Sequence, residues 1–132
     1  MSAFAKQSGK RLEPGIAGAA LAVGDLVYLG SDGRWELADA DSVGLYPAQG
    51  VVTMAASADG EPVEVCQSAL IGGLTGLTVG AALYLSTTGT TGNTITETRP
   101  TAAFDCVQGV GYNKSATEQA INIAPIDALR PS

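Results

Sequence analysis

A chain of 132 residues and 13.3 kDa is long enough to close one core without metals or disulfides, so a single domain is expected. Its net charge of −6, with only seven Lys and Arg, argues against duplex nucleic acid as partner, because phosphate binding needs cations clustered on a folded surface. No apolar run approaches the roughly eighteen residues of a membrane span, and Met1-Ser2-Ala3-Phe4-Ala5-Lys6 lacks an apolar signal core, so neither membrane insertion nor export is expected, and synthesis in a cytoplasm is.

Charged residues are only 15% of the chain, while glycine, with 17 copies, is abundant. So thin a cover of charge fits either association that removes surface from water or a neutral surface rich in Thr, Ser and Gly. Residues 1–15, ending in Pro14-Gly15, have little apolar periodicity and read as an N-terminal arm. Lys6, Lys10 and Arg11 are opposed there only by Glu13; three positive charges and one negative make the arm +2, which leaves −8 for the body. The expectation is that Phe4 anchors this arm, with Lys6, Lys10, Arg11 and Leu12 beside it, on a neighbouring subunit or a binding partner. A disordered tail is the alternative.

Residues 16–132 form one β-domain on this reading. Short apolar segments rich in Val, Ile, Thr and Tyr alternate with turn chemistry at Ser31-Asp32-Gly33, Ala58-Asp59-Gly60, Thr88-Gly89, Thr91-Gly92-Asn93 and Tyr112-Asn113-Lys114. Strands are predicted at Leu26–Leu29, Arg34–Ala38, Gln49–Met54, Pro62–Cys66, Ala82–Ser86, Asn93–Thr98, Cys106–Tyr112 and Ala120–Ala124. Leu37–Ser42 and Ser115–Ala120 are weak helical windows that could equally be loops.

An internal repeat organises these segments. Leu21-Ala22-Val23-Gly24-Asp25-Leu26-Val27-Tyr28-Leu29 matches Leu77-Thr78-Val79-Gly80-Ala81-Ala82-Leu83-Tyr84-Leu85, and Gln49-Gly50-Val51 returns as Gln108-Gly109-Val110. Two repeated halves, about 16–67 and 72–127, therefore imply a compact all-β barrel or sandwich. Gly24 and Gly80 suit positive φ at a bend feeding a strand. Val27 with Leu29, and Leu83 with Leu85, should face the core, which leaves Tyr28 and Tyr84 on the opposite face as candidate contact residues.

Sequence-level chemistry is sparse. The chain has no histidine, which removes the usual general base and the commonest metal ligand. Cys66 and Cys106, forty residues apart without a CxxC neighbour, read as buried free thiols and not as a zinc site, with a disulfide as the alternative if the fold brings them together. Glu61 with Glu64, and Asp39 with Asp41, are carboxylate pairs whose spacing alone supports neither acid–base work nor calcium. Gly72-Gly73 lacks the spacing of a phosphate loop, and no Lys-Ser or Lys-Thr follows. Trp35 could be a sugar platform, although a core or interface anchor is the simpler reading. No catalytic residue, cofactor or metal is assigned.

The succession Ala-Leu-Ala-Val-Gly-Asp-Leu-Val-Tyr-Leu, an Asp-Gly turn, Ala-Gln-Gly-Val-Val, then Gly-Leu-Thr-Val-Gly-Ala-Ala-Leu-Tyr-Leu and Val-Gln-Gly-Val-Gly resembles a β-module of tailed-bacteriophage structural proteins, seen in head decoration or cement proteins. The likeness covers residues 16–127, and the arm matches no fixed pattern of that family. It implies a homo-oligomer, a trimer by preference, on the capsid exterior of the virion, bound to the major capsid protein and cementing neighbouring coat subunits. Some fibre proteins carry the same module, so a receptor-binding, glycan-binding role is the alternative. An enzyme of unknown chemistry is a third reading, weakened by the missing histidine.

Overall fold

The computed structural model describes residues 3–13, 15–41, 45–102 and 106–123. It is all-β, and the described residues contain no helix. Among the described residues eleven strands run in chain order: β1 (Phe4–Ser8), β2 (Arg11–Leu12), β3 (Leu26–Leu29), β4 (Trp35–Leu37), β5 (Gly50–Met54), β6 (Glu64–Cys66), β7 (Ser68–Gly72), β8 (Ala82–Leu85), β9 (Ile95–Thr96), β10 (Gly109–Asn113) and β11 (Gln119–Asn122). They build a six-stranded sheet ordered β1-β7-β11-β10-β8-β9 and a five-stranded sheet ordered β2-β6-β5-β3-β4, and every strand pairing is antiparallel.

Adding five to each label of the smaller sheet gives β7-β11-β10-β8-β9, which is the larger sheet without β1. Within that shared order, the offset that relates Gly24 to Gly80 also relates β3 to β8. Gly24 (φ 94°) and Gly80 (φ 81°) both take the positive φ that a side chain would strain, each two residues before its strand begins. All eight predicted strands have counterparts, most of them shorter by one or more residues at an end. Ala124, at the end of the last one, and Ser42, in one helical window, lie outside the described residues. Strands β1, β2 and β7 are additional.

The segment read as an arm is instead knitted into the body. Phe4 pairs with Gly72, Ala5 with Ile71, Gln7 with Leu70 and Ser8 with Ala69. The ladder then continues without a break: the Gly9 N–H donates to the Ser68 carbonyl (2.7 Å), the Gln67 N–H to the Lys10 carbonyl (2.9 Å), and Arg11 and Leu12 pair with Cys66 and Val65. The antiparallel ribbon of residues 4–12 against 65–72 thus passes from one sheet to the other at Gly9-Lys10 and Gln67. Its sequence carries no apolar period because an edge strand has one flank in water, and most of β1 is exposed.

Two apolar clusters fill the molecule. One lies between the sheets and contains Leu26, Val51, Ile71, Leu83, Leu85, Val110, Ile121 and Ile123. The other, with Leu21, Val27, Trp35, Val52, Val63 and Val65, lies inside the five-stranded sheet. That sheet curls until the segment after β2 reaches its far side: Ile16 bridges Pro62, and Ala17 bridges Trp35. The Trp35 N–H donates to the Ile16 carbonyl (3.0 Å), and the Gly18 N–H to the Trp35 carbonyl (2.8 Å). Strands β3 and β5 are consequently buried on both faces, Leu26 and Val51 toward one cluster and Val27 and Val52 toward the other.

This double burial alters one expected face. Leu83 and Leu85 are fully buried as anticipated, whereas Leu29 is 38% exposed and Tyr28 packs partly against the inter-sheet cluster. Leu26 and Tyr28 share that face, and Leu29, on the face of Val27, lies at the end of the strand. Cys66 and Cys106 are both buried, and no disulfide joins them.

Candidate interaction surface

The seven residues singled out from the sequence do not converge on one site. Phe4 and Lys6 lie on β1, at the rim of the six-stranded sheet, where both approach Gly72: a Cβ built there would come within 2.8 Å of Lys6 Cδ and 3.3 Å of Phe4 Cε2. Lys10 occupies the crossing between the sheets. Arg11, on β2, is 65% exposed with its guanidinium 3.9 Å from both Glu13 and Glu64, while Leu12 packs partly against the second cluster. Tyr28 and Tyr84 are half-buried on β3 and β8, in different sheets. Lys6 forms a salt bridge with Glu118, so one of the arm's charges is neutralised by the body.

What the fold does assemble is a face. On the six-stranded sheet Ala69, Ile71, Ile121, Val110, Leu83 and Leu85 turn inward. The alternate positions turn outward, and register aligns Gln7, Leu70, Ala120, Tyr112 and Ala82 across five adjacent strands. Phe4 and Gly72 form the next rung. The result is a flat surface of small side chains with two aromatic anchors, Phe4 at 45% and Tyr112 at 51% exposure. Shallow grooves run beside them, one between Phe4, Lys6, Leu74 and Thr117, the other between Gln7, Leu70, Tyr112 and Lys114. Tyr112 was read from the sequence as the end of a strand and the start of a turn, not as a contact residue; its place two residues after the inward Val110, across the Gly109–Gly111 bulge, is what turns it out.

A second surface is acidic. The β3–β4 turn holds Asp32, β4 contributes Glu36, and Asp59 lies close enough for Arg34 Nη1 to donate to its carboxylate at 2.7 Å. Partial desolvation and then the charges of Asp32 and Asp59 push the Glu36 carboxyl above its usual range, against the pull of Arg34. Burial, Glu36 and Asp32 likewise raise the Tyr28 phenol. Leu29 (38%) and Ile16 (37%) supply exposed apolar area beside it, through Leu29's pairing with Trp35 and Ile16's hydrogen bond to that same residue.

Trp35 itself is only 3% exposed within the second cluster, so its ring is a core anchor and not a sugar platform. Asp39 accepts from the Asp41 N–H (3.1 Å), a local turn bond, and Glu61 accepts from the Ser57 N–H (3.1 Å) and hydroxyl. Among the described residues no group of three or more Cys, Asp or Glu is placed to hold a metal. Buried polar side chains act as internal ties. Gln108 matches the Ala48 peptide as a strand would, its Oε1 accepting from the N–H at 2.8 Å and its Nε2 donating to the carbonyl at 2.9 Å. Asp25, 1% exposed, accepts from three donors.

Three carboxylates are held below the usual range: Glu61 by the Ser57 hydroxyl and N–H, Glu97 by the Thr78 N–H and the Asn113 amide, and Glu118 by Lys6. A lowered folded-state pKa gives stability that is complete above 4.5, the ordinary value, and is lost as pH falls through the folded value. The thermal midpoint is therefore expected to hold near neutrality and to drop on acidification below that value. Calorimetry of Glu97→Gln should give a shallower acid decline than wild type; an identical decline would remove Glu97 from the account.

No protein-family model, no curated protein and no solved structure matches the chain.

Proposed function

We propose that the chain is a non-enzymatic structural module of a tailed-bacteriophage particle, which binds the outer surface of the capsid, contacts the major capsid protein and cements neighbouring coat subunits. The observation that carries this reading is the flat outer face of the six-stranded sheet, where Phe4, Leu70 and Tyr112 lie among Gly72, Ala82 and Ala120 on hydrogen-bonded strands. Exposed aromatic rings set on a sheet face of mostly small residues favour association. The sequence resemblance to decoration modules supports the same reading. A cement gains strength from several weak contacts made at once by a stiff body, and strands tied by buried Gln108 and Asp25 provide the stiffness.

The test is co-sedimentation of the purified protein with undecorated capsids of the phage that encodes it. Saturable binding at a fixed ratio to coat protein is expected, together with a rise in the temperature at which particles burst. Phe4→Ser with Tyr112→Ser should weaken binding about tenfold or more while leaving the fold intact, since both residues are exposed and neither belongs to the core clusters. Capsids that sediment without the protein would overturn the proposal. Deleting residues 2–13 is a poorer test, because it strips β1 and β2 from their sheets and would lower stability as well.

A further inference from the structure

The repeat allows the two halves to be compared corner by corner. Strands β3 and β8 correspond, and Tyr28 pairs with Glu36 on one side of the comparison while Tyr84 pairs with Thr96 on the other. Glu36 and Thr96 therefore hold equivalent places, as do Asp32 and Thr88, which follow Tyr28 and Tyr84 by the same interval. The first corner is the acidic surface already described. At the second, hydroxyls stand in place of both carboxylates. A cavity of about 300 Å³ lies there, at the β9 edge of the six-stranded sheet and so at the opposite edge from β1, lined among others by Ser86, Thr88, Thr96, Thr98 and Arg99.

The polar groups of this cavity are disposed to donate. Ser86, only 5% exposed, accepts the Thr88 N–H through Oγ at 3.0 Å, and Thr96 accepts the Thr98 N–H through Oγ1 at 3.1 Å. With the backbone supplying a donor to each oxygen, each hydroxyl proton is left to give. The Arg99 guanidinium adds a planar fork of N–H donors and forms no ion pair among the described residues. No carboxylate lines the cavity. Glu97, beside it in sequence, accepts instead from the Thr78 N–H (3.1 Å) and the Asn113 amide (2.6 Å), and Asp39 lies against Gly89, outside the lining.

We infer that this corner binds a tetrahedral oxyanion, a phosphate or sulfate group, free or carried on a small molecule such as a sugar. A guanidinium fork takes two such oxygens at once, and the Ser86 and Thr96 hydroxyls supply donors for the others. The site is separate from the outer face proposed to meet the coat protein and does not depend on that role.

The experiment titrates the full chain in phosphate-free buffer with inorganic phosphate, inorganic sulfate, glucose phosphate and glucose, read by calorimetry and by amide shifts in NMR. Saturable binding of the anions is expected, with shifts centred on residues 86–88 and 96–101, and weaker in high salt. Equal affinity for inorganic and sugar phosphate would support a free anion as the ligand; tighter sugar phosphate would support a glycan-borne one. Arg99→Gln should weaken binding about tenfold or more, as should Thr88→Asp, which restores at this corner the charge found at the other. Both residues are exposed, so unchanged thermal midpoints should accompany the loss. Arg34→Gln, at the acidic corner, should bind as wild type does. Anions that do not bind, glucose that binds as tightly as they do, an Arg99→Gln variant of wild-type affinity, or an Arg34→Gln variant equally weakened would each overturn the inference. None of these results bears on co-sedimentation with capsids, so the proposed function stands or falls separately.

Discussion

Gly111→Ala is expected to cost about 3–4 kcal/mol, a large part of the stability of a domain this size, and to lower the thermal midpoint by roughly 10 °C. The backbone of β10 passes β11 so closely that a Cβ on Gly111 would fall 2.0 Å from the Ala120 carbonyl oxygen and 3.0 Å from its carbon. Both obstacles are main chain, and β11 is hydrogen-bonded on its other side to β7, so neither strand can yield without disturbing a third. The φ of 155° adds strain for any residue with a side chain. Gly109→Ala is the control: two positions away in the same strand, its Cβ would meet nothing within 4 Å, and a change within about 0.5 kcal/mol is expected. Urea unfolding of the pair measures the difference directly. Equal stabilities would mean that β10 and β11 do not approach as described.

Asp25→Ala should destabilise by about 2–4 kcal/mol. Its carboxylate accepts from the Ala22 N–H at 2.9 Å, the Thr91 hydroxyl at 2.7 Å and the Gly92 N–H at 2.8 Å, with almost no exposure to water. Truncation leaves the Ala22 and Gly92 N–H groups, both in partly buried hydrogen bonds, without their acceptor and opens a void where the buried carboxylate stood. Asp25→Asn keeps the shape but turns an amide donor toward one of those N–H groups, so a smaller loss is expected. Thr91→Ala removes one donor and should couple to Asp25→Ala, the double variant being less damaged than the sum of the singles. Strict additivity in a double-mutant cycle would show that the two side chains do not meet.

These two residues also mark where sequence reasoning ends. The repeat displayed Asp25 opposite Ala81, but nothing local says that the carboxylate is satisfied by the Thr91-Gly92 turn, which only the packing of the two sheets brings near. The strands β3, β5, β8 and β10 were legible because inward Val, Leu and Ile alternate at short range and glycine turns frame them. Strand β7 was not: Ser68-Ala69-Leu70-Ile71-Gly72 runs into Gly73, and the paired glycines masked a strand whose Ala69 and Ile71 face the core. Strand β1 was hidden for the opposite reason, since an edge strand half in water needs no apolar alternation. The interaction surface was legible only at Phe4 and Lys6. Tyr112 and its neighbours become one face through register across five strands, which is a property of pairing and not of any window along the chain.

The crossing at Gly9-Lys10 and Gln67 also matters mechanically. Two covalent straps pass there side by side, bonded to each other, each contributing a strand to both layers. A tug on either layer is therefore transmitted along peptide bonds before it loads the greasy contacts between them, and peeling one away would require unzipping the other.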